Sequence, residues 1–226
     1  METGEKISVE LFGLLFLEPM TAITDLILFL ICLFFAYELH KNKASKVIVN
    51  WKKFFLFMGI STFLGSIAHG LFHYLDGRPF LAVFLSMQVA AGYAIYFAES
   101  ASINFFASAK NKVILKKVIV LKLFIMIVAV LYFHDFRVVV INTAIGFLTI
   151  IWFKIREYFN GNLGSGFIAI GIVMAVFTAF IHGNKFSLHA WMNYNDISHF
   201  MLMIGFYLIF IGVRKTKLKL EGEGQK

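Results

Sequence analysis

The sequence has few residues that interrupt or cross-link a helix, and little charge. Two prolines in 226 residues leave long helices uninterrupted, and the single cysteine, Cys32, excludes an intramolecular disulfide and a cysteine-rich metal site. Only 15% of the residues are charged, whereas 60% are hydrophobic and the mean hydropathy is +0.80. This composition excludes a disordered chain and a soluble enzyme, because soluble domains are nearer half apolar. The lack of short alternating strands excludes a membrane β-barrel.

The apolar residues form seven long runs separated by short polar connections. A spanning helix needs roughly 20 apolar residues, so the sequence predicts an all-α membrane protein with a seven-transmembrane helix bundle as one domain over residues 20–213. Residues 1–19 are predicted to be an interfacial segment, with a short helix over 7–17, and residues 214–226 a basic cytoplasmic tail. The predicted spans are 20–38, 54–75, 79–97, 118–133, 136–153, 165–181 and 196–213.

The basic residues predict how the bundle crosses the membrane. Seventeen Lys and Arg residues fall in the first, third and fifth connections and the C-terminal tail, against four in the N-terminus and the other connections. Because cytoplasmic loops carry the excess of Lys and Arg, the N-terminus is predicted outside and the C-terminus in the cytoplasm. A positive charge spread over such loops indicates contact with membrane lipids and excludes nucleic acid as the partner.

Polar side chains at membrane depth follow one face of the second span. Thr62, Ser66, His69, His73 and Asp76 are spaced by 4, 3, 4 and 3 residues, which places them on one stripe of a continuous helix. Polar residues of the first, sixth and seventh spans lie at the same, outer end by the predicted topology; these are Glu18, Asp25, His182, Asp196 and His199. Intramembrane ionisable residues are costly and mark functional sites, so the sequence predicts one cluster there.

Three interpretations of this cluster stay open. In the first, His69 and His73 at i, i+4 bind zinc with His199 as the third ligand, and Asp196, Asp25 or Asp76 serves as a fourth ligand, a partner to the ligands or a general base. In the second, the His and Asp side chains titrate in a proton relay or substrate path. In the third, they are helix caps and hydrogen bonds between helices.

Other polar and small residues carry weaker predictions. Glu99 and its neighbours Ser100 and Ser102 are predicted to be solvated at the inner end of the third span, and the fourth span to be a peripheral, structural helix. Gly164 and Gly171 of the sixth span are predicted to permit close approach of another helix.

The arrangement resembles the superfamily of alkaline ceramidases, progestin and adiponectin receptors and Per1-like proteins. The resemblance is carried by Ser66, His69 and His73 in GSIAHGLFHYL and by His199 in NDISHFMLMIGFYL, with Asn195 where the superfamily has a second His. It implies a zinc-dependent hydrolase of a lipid amide or ester, with zinc on His69, His73 and His199. Asp196 or Asp25 would accept the proton, and Ser66 would steady the oxyanion. The alternative function is a non-enzymatic membrane sensor or transporter that uses the same cluster for protons or a ligand.

Overall fold

The computed structural model describes residues 7–41, 45–75, 77–106 and 108–223, and most of them are helical. A two-stranded antiparallel hairpin comes first, formed by β1 (Ser8–Leu11) and β2 (Leu14–Leu17). Seven α-helices follow in these ranges, with a short 3-10 helix (Phe72–Tyr74) between the second and the third. The helices are α1 (Pro19–His40), α2 (Lys46–Gly70), α3 (Arg78–Phe106), α4 (Ala109–Phe133), α5 (Arg137–Phe159), α6 (Leu163–Gly183) and α7 (Tyr194–Glu223).

The helices have the length and composition that a membrane requires. Six of those in the described ranges, all but α4, are long and apolar enough to cross a bilayer. The prediction of a mostly helical chain with helices of spanning length and composition is therefore confirmed. The helix α4 has 25 residues and carries Lys116, Lys117 and Lys122 in or beside its apolar run. It stays a prediction that α4 crosses the membrane as a seventh span. The orientation of the bundle, with the N-terminus outside, also stays a prediction.

The prediction of an interfacial helix over 7–17 is wrong, because this segment is a β-hairpin. Leu11 pairs with Leu14, so Phe12 and Gly13 form a two-residue turn, with φ of 53° and 74°. Positive φ at both central residues is the type I′ geometry, which matches the twist of a hairpin and favours Gly in the second position. Tyr74 of the 3-10 helix accepts a hydrogen bond from the Leu15 amide at 2.8 Å and fixes the hairpin to the helices.

Short connections make the helices antiparallel neighbours and give the bundle two chemically different ends. The hairpin end is the one where α1 and α7 begin and α2 ends. The lysine end is the opposite one, where α2 begins with Lys46, Lys52 and Lys53. The core between α1, α2 and α7 is aromatic: Phe35 stacks on Phe210 with ring centroids 4.3 Å apart.

Glycines bring α6 and α7 into backbone contact. A Cβ built on Gly171 would lie 2.5 Å from the carbonyl oxygen of Gly205, and one on Gly164 would lie 2.4 Å from that of Gly212. Real side chains cannot approach a carbonyl so closely, so glycine is required at both crossings. The prediction of close helix approach at Gly164 and Gly171 is therefore confirmed.

Candidate functional site

The hairpin end joins α1 to α7 through a buried aspartate. Asp196 is 0% exposed; its Oδ1 accepts from the Thr21 hydroxyl at 2.9 Å and its Oδ2 from the Asn193 amide at 2.8 Å. The Asn193 side-chain oxygen in turn accepts from the Asp196 amide at 3.4 Å and from the Asn195 amide at 2.7 Å. This reciprocal arrangement is a capping box at the start of α7. Both oxygens of Asp196 are thus engaged by donors of the protein, as expected of a structural carboxylate.

One turn deeper, α1 and α7 bring a second carboxylate to a histidine. The Oδ1 of Asp25 lies 3.4 Å from Nε2 of His199, and the Asp25 residue is 4% exposed. On the other side of the carboxylate, a Cβ built on Gly65 of α2 would lie 2.7 Å from Oδ2. The helix α2 therefore admits the Asp25 side chain only because it has a glycine at this position.

The hydroxyl of Thr24 contacts the ring nitrogen of His199 that does not face Asp25. Its oxygen lies 3.0 Å from the Thr21 carbonyl oxygen and 2.8 Å from Nδ1 of His199. When the hydroxyl donates to the carbonyl oxygen, it accepts from Nδ1, and Nε2 of a neutral ring directs a lone pair at Asp25. In that arrangement the Asp25–His199 pair is held together by one proton between its two atoms.

Another imidazole–carboxylate pair lies nearer the surface. Nδ1 of His69, on the last turn of α2, is 2.9 Å from Oε2 of Glu18, which precedes α1. Titratable groups that act electrostatically on the Asp25–His199 pair come from three helices, namely His69 of α2, His182 of α6 and Asp196 of α7. The hairpin end thus concentrates imidazoles and carboxylates from four elements, as the sequence predicted.

The predicted polar stripe on the second span is interrupted. The helix α2 ends at Gly70, and His73 lies on the exposed 3-10 helix with its ring against Tyr74. Gly70 is buried where a Cβ would lie 3.1 Å from that of Ala22 of α1, and the chain turns there. His69 and His73 therefore do not share one helical face. Asp76 lies outside the described residues.

The described residues do not fit the predicted zinc site. Zinc sites use at least three protein ligands, and among the described residues no group of three His, Cys, Asp or Glu side chains is placed to hold a metal ion. Asp25 and His199 come together, His69 is engaged by Glu18, and His73 is on a separate element. Ser66 is half-buried on α2, and it has no hydrogen bond to these side chains in the described part of the chain. Zinc on His69, His73 and His199 stays a prediction.

Buried charges also lie at other depths of the bundle, and their pairing was not predicted from the sequence. Glu99 is 1% exposed and accepts from the Lys122 ammonium at 2.8 Å, so the prediction that it is solvated is wrong. Ser100 and Ser102 are buried as well. At the lysine end, Lys154 donates to both oxygens of Glu157 at 3.0 and 2.8 Å. Two features of the sequence could have indicated these ion pairs. Lys122 lies within an apolar run, and Lys154 and Glu157 are three residues apart.

Comparison with known proteins gives a family for nearly the whole chain. Residues 20–218, from the second residue of α1 into α7, match a family described as a family of unknown function (DUF6962). No curated protein and no solved structure matches the chain.

Proposed function

The chain belongs to this family of unknown function, and we propose that it is a multi-pass integral membrane protein in which Asp25 and His199 bind and release one proton. The proposal makes it a non-enzymatic sensor or a proton-coupled transporter. With the N-terminus outside, as the distribution of lysine and arginine predicts, the site faces the outer side of the membrane.

The observation that carries the proposal is the Asp25–His199 pair itself. The contact between Nδ1 of His199 and the Thr24 hydroxyl orients the ring with Nε2 toward Asp25. With one proton between them the two groups attract each other; without it, a carboxylate faces a lone pair in a poorly hydrated site, where such repulsion is strong. The pair is therefore more stable with the shared proton than without it, and it can release that proton.

The position of the pair links proton binding to helix packing. Asp25 belongs to α1 and His199 to α7, and Gly65 of α2 closes the site behind the carboxylate. Loss of the proton weakens the contact between α1 and α7 at the level of Asp25, one helical turn deeper in the bundle than the Thr21–Asp196 hydrogen bond. A change in this contact is the conformational step that a sensor or a transporter needs.

The experiment counts protons released by the protein in lipid nanodiscs after a rapid rise in pH, with a pH indicator dye. We expect Asp25→Asn and His199→Gln each to remove about one proton, and the double variant to remove one rather than two, because the pair shares it. His73→Gln, at an exposed histidine outside the pair, is the control: its loss should add to that of Asp25→Asn. Additive losses from Asp25→Asn and His199→Gln would refute a shared proton.

The zinc-dependent hydrolysis of a lipid amide or ester remains a prediction from the sequence, with separate tests. It requires near-stoichiometric metal in the purified protein, reduced in His199→Ala, and release of fatty acid from a lipid amide or ester in micelles. A purified protein that contains metal but shows no shared proton in the release experiment would favour the hydrolase over the proton-binding function. Less than a tenth of an equivalent of metal, unchanged in His199→Ala, would remove the zinc site.

A further inference from the structure

Polar atoms without a hydrogen-bond partner lie where α3, α4 and α5 meet. In the described part of the chain seven buried side-chain nitrogen and oxygen atoms have no partner, and three of them belong to Glu99 of α3 and Asn142 of α5. Both side chains are at least nine-tenths buried. Buried polar groups in proteins are nearly always hydrogen-bonded, so these atoms point to a ligand.

The Lys122 ammonium connects Glu99 of α3 to Asn142 of α5. The Lys122 ammonium donates to Oε1 of Glu99 at 2.8 Å and lies 3.4 Å from the carbonyl oxygen of Asn142. Oε2 of Glu99 and both polar atoms of the Asn142 side chain have no partner within the described protein. One helical turn after Asn142, Gly146 presents bare backbone, where a Cβ would lie 3.2 Å from the ammonium nitrogen.

Lys122 lies inside the bundle. It is the fourteenth of the 25 residues of α4, and its side chain is 18% exposed. Ionisable residues in a membrane bundle face its interior or a hydrated cavity.

An ion pair in this environment needs more hydrogen bonds than the protein provides. Removing two charges from water is repaid only when the remaining lone pairs and protons are also satisfied. The Lys122 ammonium has one short hydrogen bond, to Glu99, and one long one, to the carbonyl oxygen of Asn142. A molecule that completes this site must therefore donate a hydrogen bond to Oε2 of Glu99. It must also both donate to and accept from the side-chain amide of Asn142.

We propose that Glu99, Lys122 and Asn142 form a binding site for water inside the bundle, where α3, α4 and α5 meet. Water is the smallest molecule that both donates and accepts, and it meets the requirement of all three unpartnered atoms. This site lies on different helices from the Asp25–His199 pair and does not depend on it. It gives the protein a hydrated, charged position in the interior of the bundle.

The experiment measures transfer of magnetisation from water protons to side-chain amides by proton-detected solid-state NMR in lipid bilayers. The Asn142 amide signal is assigned by its loss in Asn142→Leu. The exposed Asn160 amide is the positive control, and the backbone amide of Ile150, buried among apolar residues, is the negative control. We expect the rate for Asn142 to lie within threefold of that for Asn160; a rate no faster than that of Ile150 overturns the proposal.

A stability measurement provides a second, independent arm. Asn142→Leu removes a partner of the bound water, so the thermal unfolding midpoint in detergent falls if the site is hydrated. If the site is dry, the same change removes an unsatisfied amide and the midpoint rises or stays the same. A rise or no change overturns the proposal. Asp25→Asn should change neither the transfer rate at the Asn142 amide nor the effect of Asn142→Leu on the midpoint. The water site and the proton-binding function can therefore be refuted independently of each other.

Discussion

Glu157 at the lysine end and Asp25 at the hairpin end are both buried carboxylates in apolar helices, but their partners differ in kind. Glu157 accepts two hydrogen bonds from the Lys154 ammonium, and its Oε2 also accepts from Ser165 at 2.5 Å. Asp25 has His199 at 3.4 Å and the bare backbone of Gly65 behind it. Glu157 is saturated by a fixed cation, whereas Asp25 faces a group that can lose its charge.

The comparison shows that burial of a charge does not by itself mark a functional site. A carboxylate with a lysine and a hydroxyl bound to it is stable in a single protonation state, and changing that state would leave an unpaired buried charge. A carboxylate beside an imidazole can exist with or without the shared proton. The lysine end is therefore interpreted as structural, and the hairpin end as the end that responds.

The largest expected effect is at the structural pair. Glu157→Gln leaves the Lys154 ammonium buried without a counter-ion, which is expected to lower the free energy of unfolding by about 3–5 kcal/mol. The measurement is chemical or thermal unfolding in detergent, followed by circular dichroism. Lys117→Met, at an exposed lysine of α4, is the matched control for a change of charge. A loss for Glu157→Gln no larger than that of the control would contradict the structural role.

Gly65→Ala tests how closely α2 confines Asp25. The added Cβ would lie 2.7 Å from Oδ2, so the carboxyl group must move, at a cost of about 1–3 kcal/mol in unfolding free energy. The displaced carboxyl group should also lose its shared proton. Gly183→Ala is the control, because a Cβ there has no atom within 4 Å. Equal stability of the two alanine variants would show that the site is not confined.

Asp25→Asn is the same chemical change as Glu157→Gln, made at the responsive carboxyl group. No fixed cation is left unpaired, so we expect a change of only about 1 kcal/mol in unfolding free energy. Proton release from the pair should nevertheless disappear. If Asp25→Asn destabilised the protein as much as Glu157→Gln does, the distinction between the two ends would be lost.

The smallest effect is expected at His69 and Glu18. Because this pair is partly exposed, a double-mutant cycle of His69→Gln and Glu18→Gln should give a coupling of about 0.5 kcal/mol. It should leave the proton shared by Asp25 and His199 in place. A coupling several times larger would mean that the outer pair belongs to the same site.

Hydropathy and spacing predicted the helices well, because each apolar run of sufficient length has only one stable form in lipid. They did not predict the hairpin, whose turn depends on two positive φ angles at Phe12 and Gly13 rather than on an apolar period. They also extended the second span to residue 75, whereas α2 ends at Gly70, where α1 is so close that a Cβ would lie 3.1 Å from that of Ala22.

The candidate site was predicted in its location but not in its pairs. Spacing within one helix predicts which residues share a face, and the alternating direction of the predicted spans placed Asp25, His69, Asp196 and His199 at one end. Which carboxylate meets which imidazole depends on contacts between helices far apart in sequence, such as Asp25 with His199 across 174 positions. The role of Gly65 is likewise visible only when α1 is packed against α2.

The central claim is that one proton is shared between Asp25 and His199, and nitrogen NMR of the histidine ring tests it most directly. Spectra of protein with ¹⁵N-labelled histidine in lipid nanodiscs, compared with His199→Gln, identify the two ring nitrogens. The account predicts that Nδ1 carries a hydrogen bonded to Thr24, and that Asp25→Asn shifts the Nε2 resonance while leaving Nδ1 in place. An Nδ1 without a hydrogen, or an Nε2 resonance unchanged by Asp25→Asn, would contradict it.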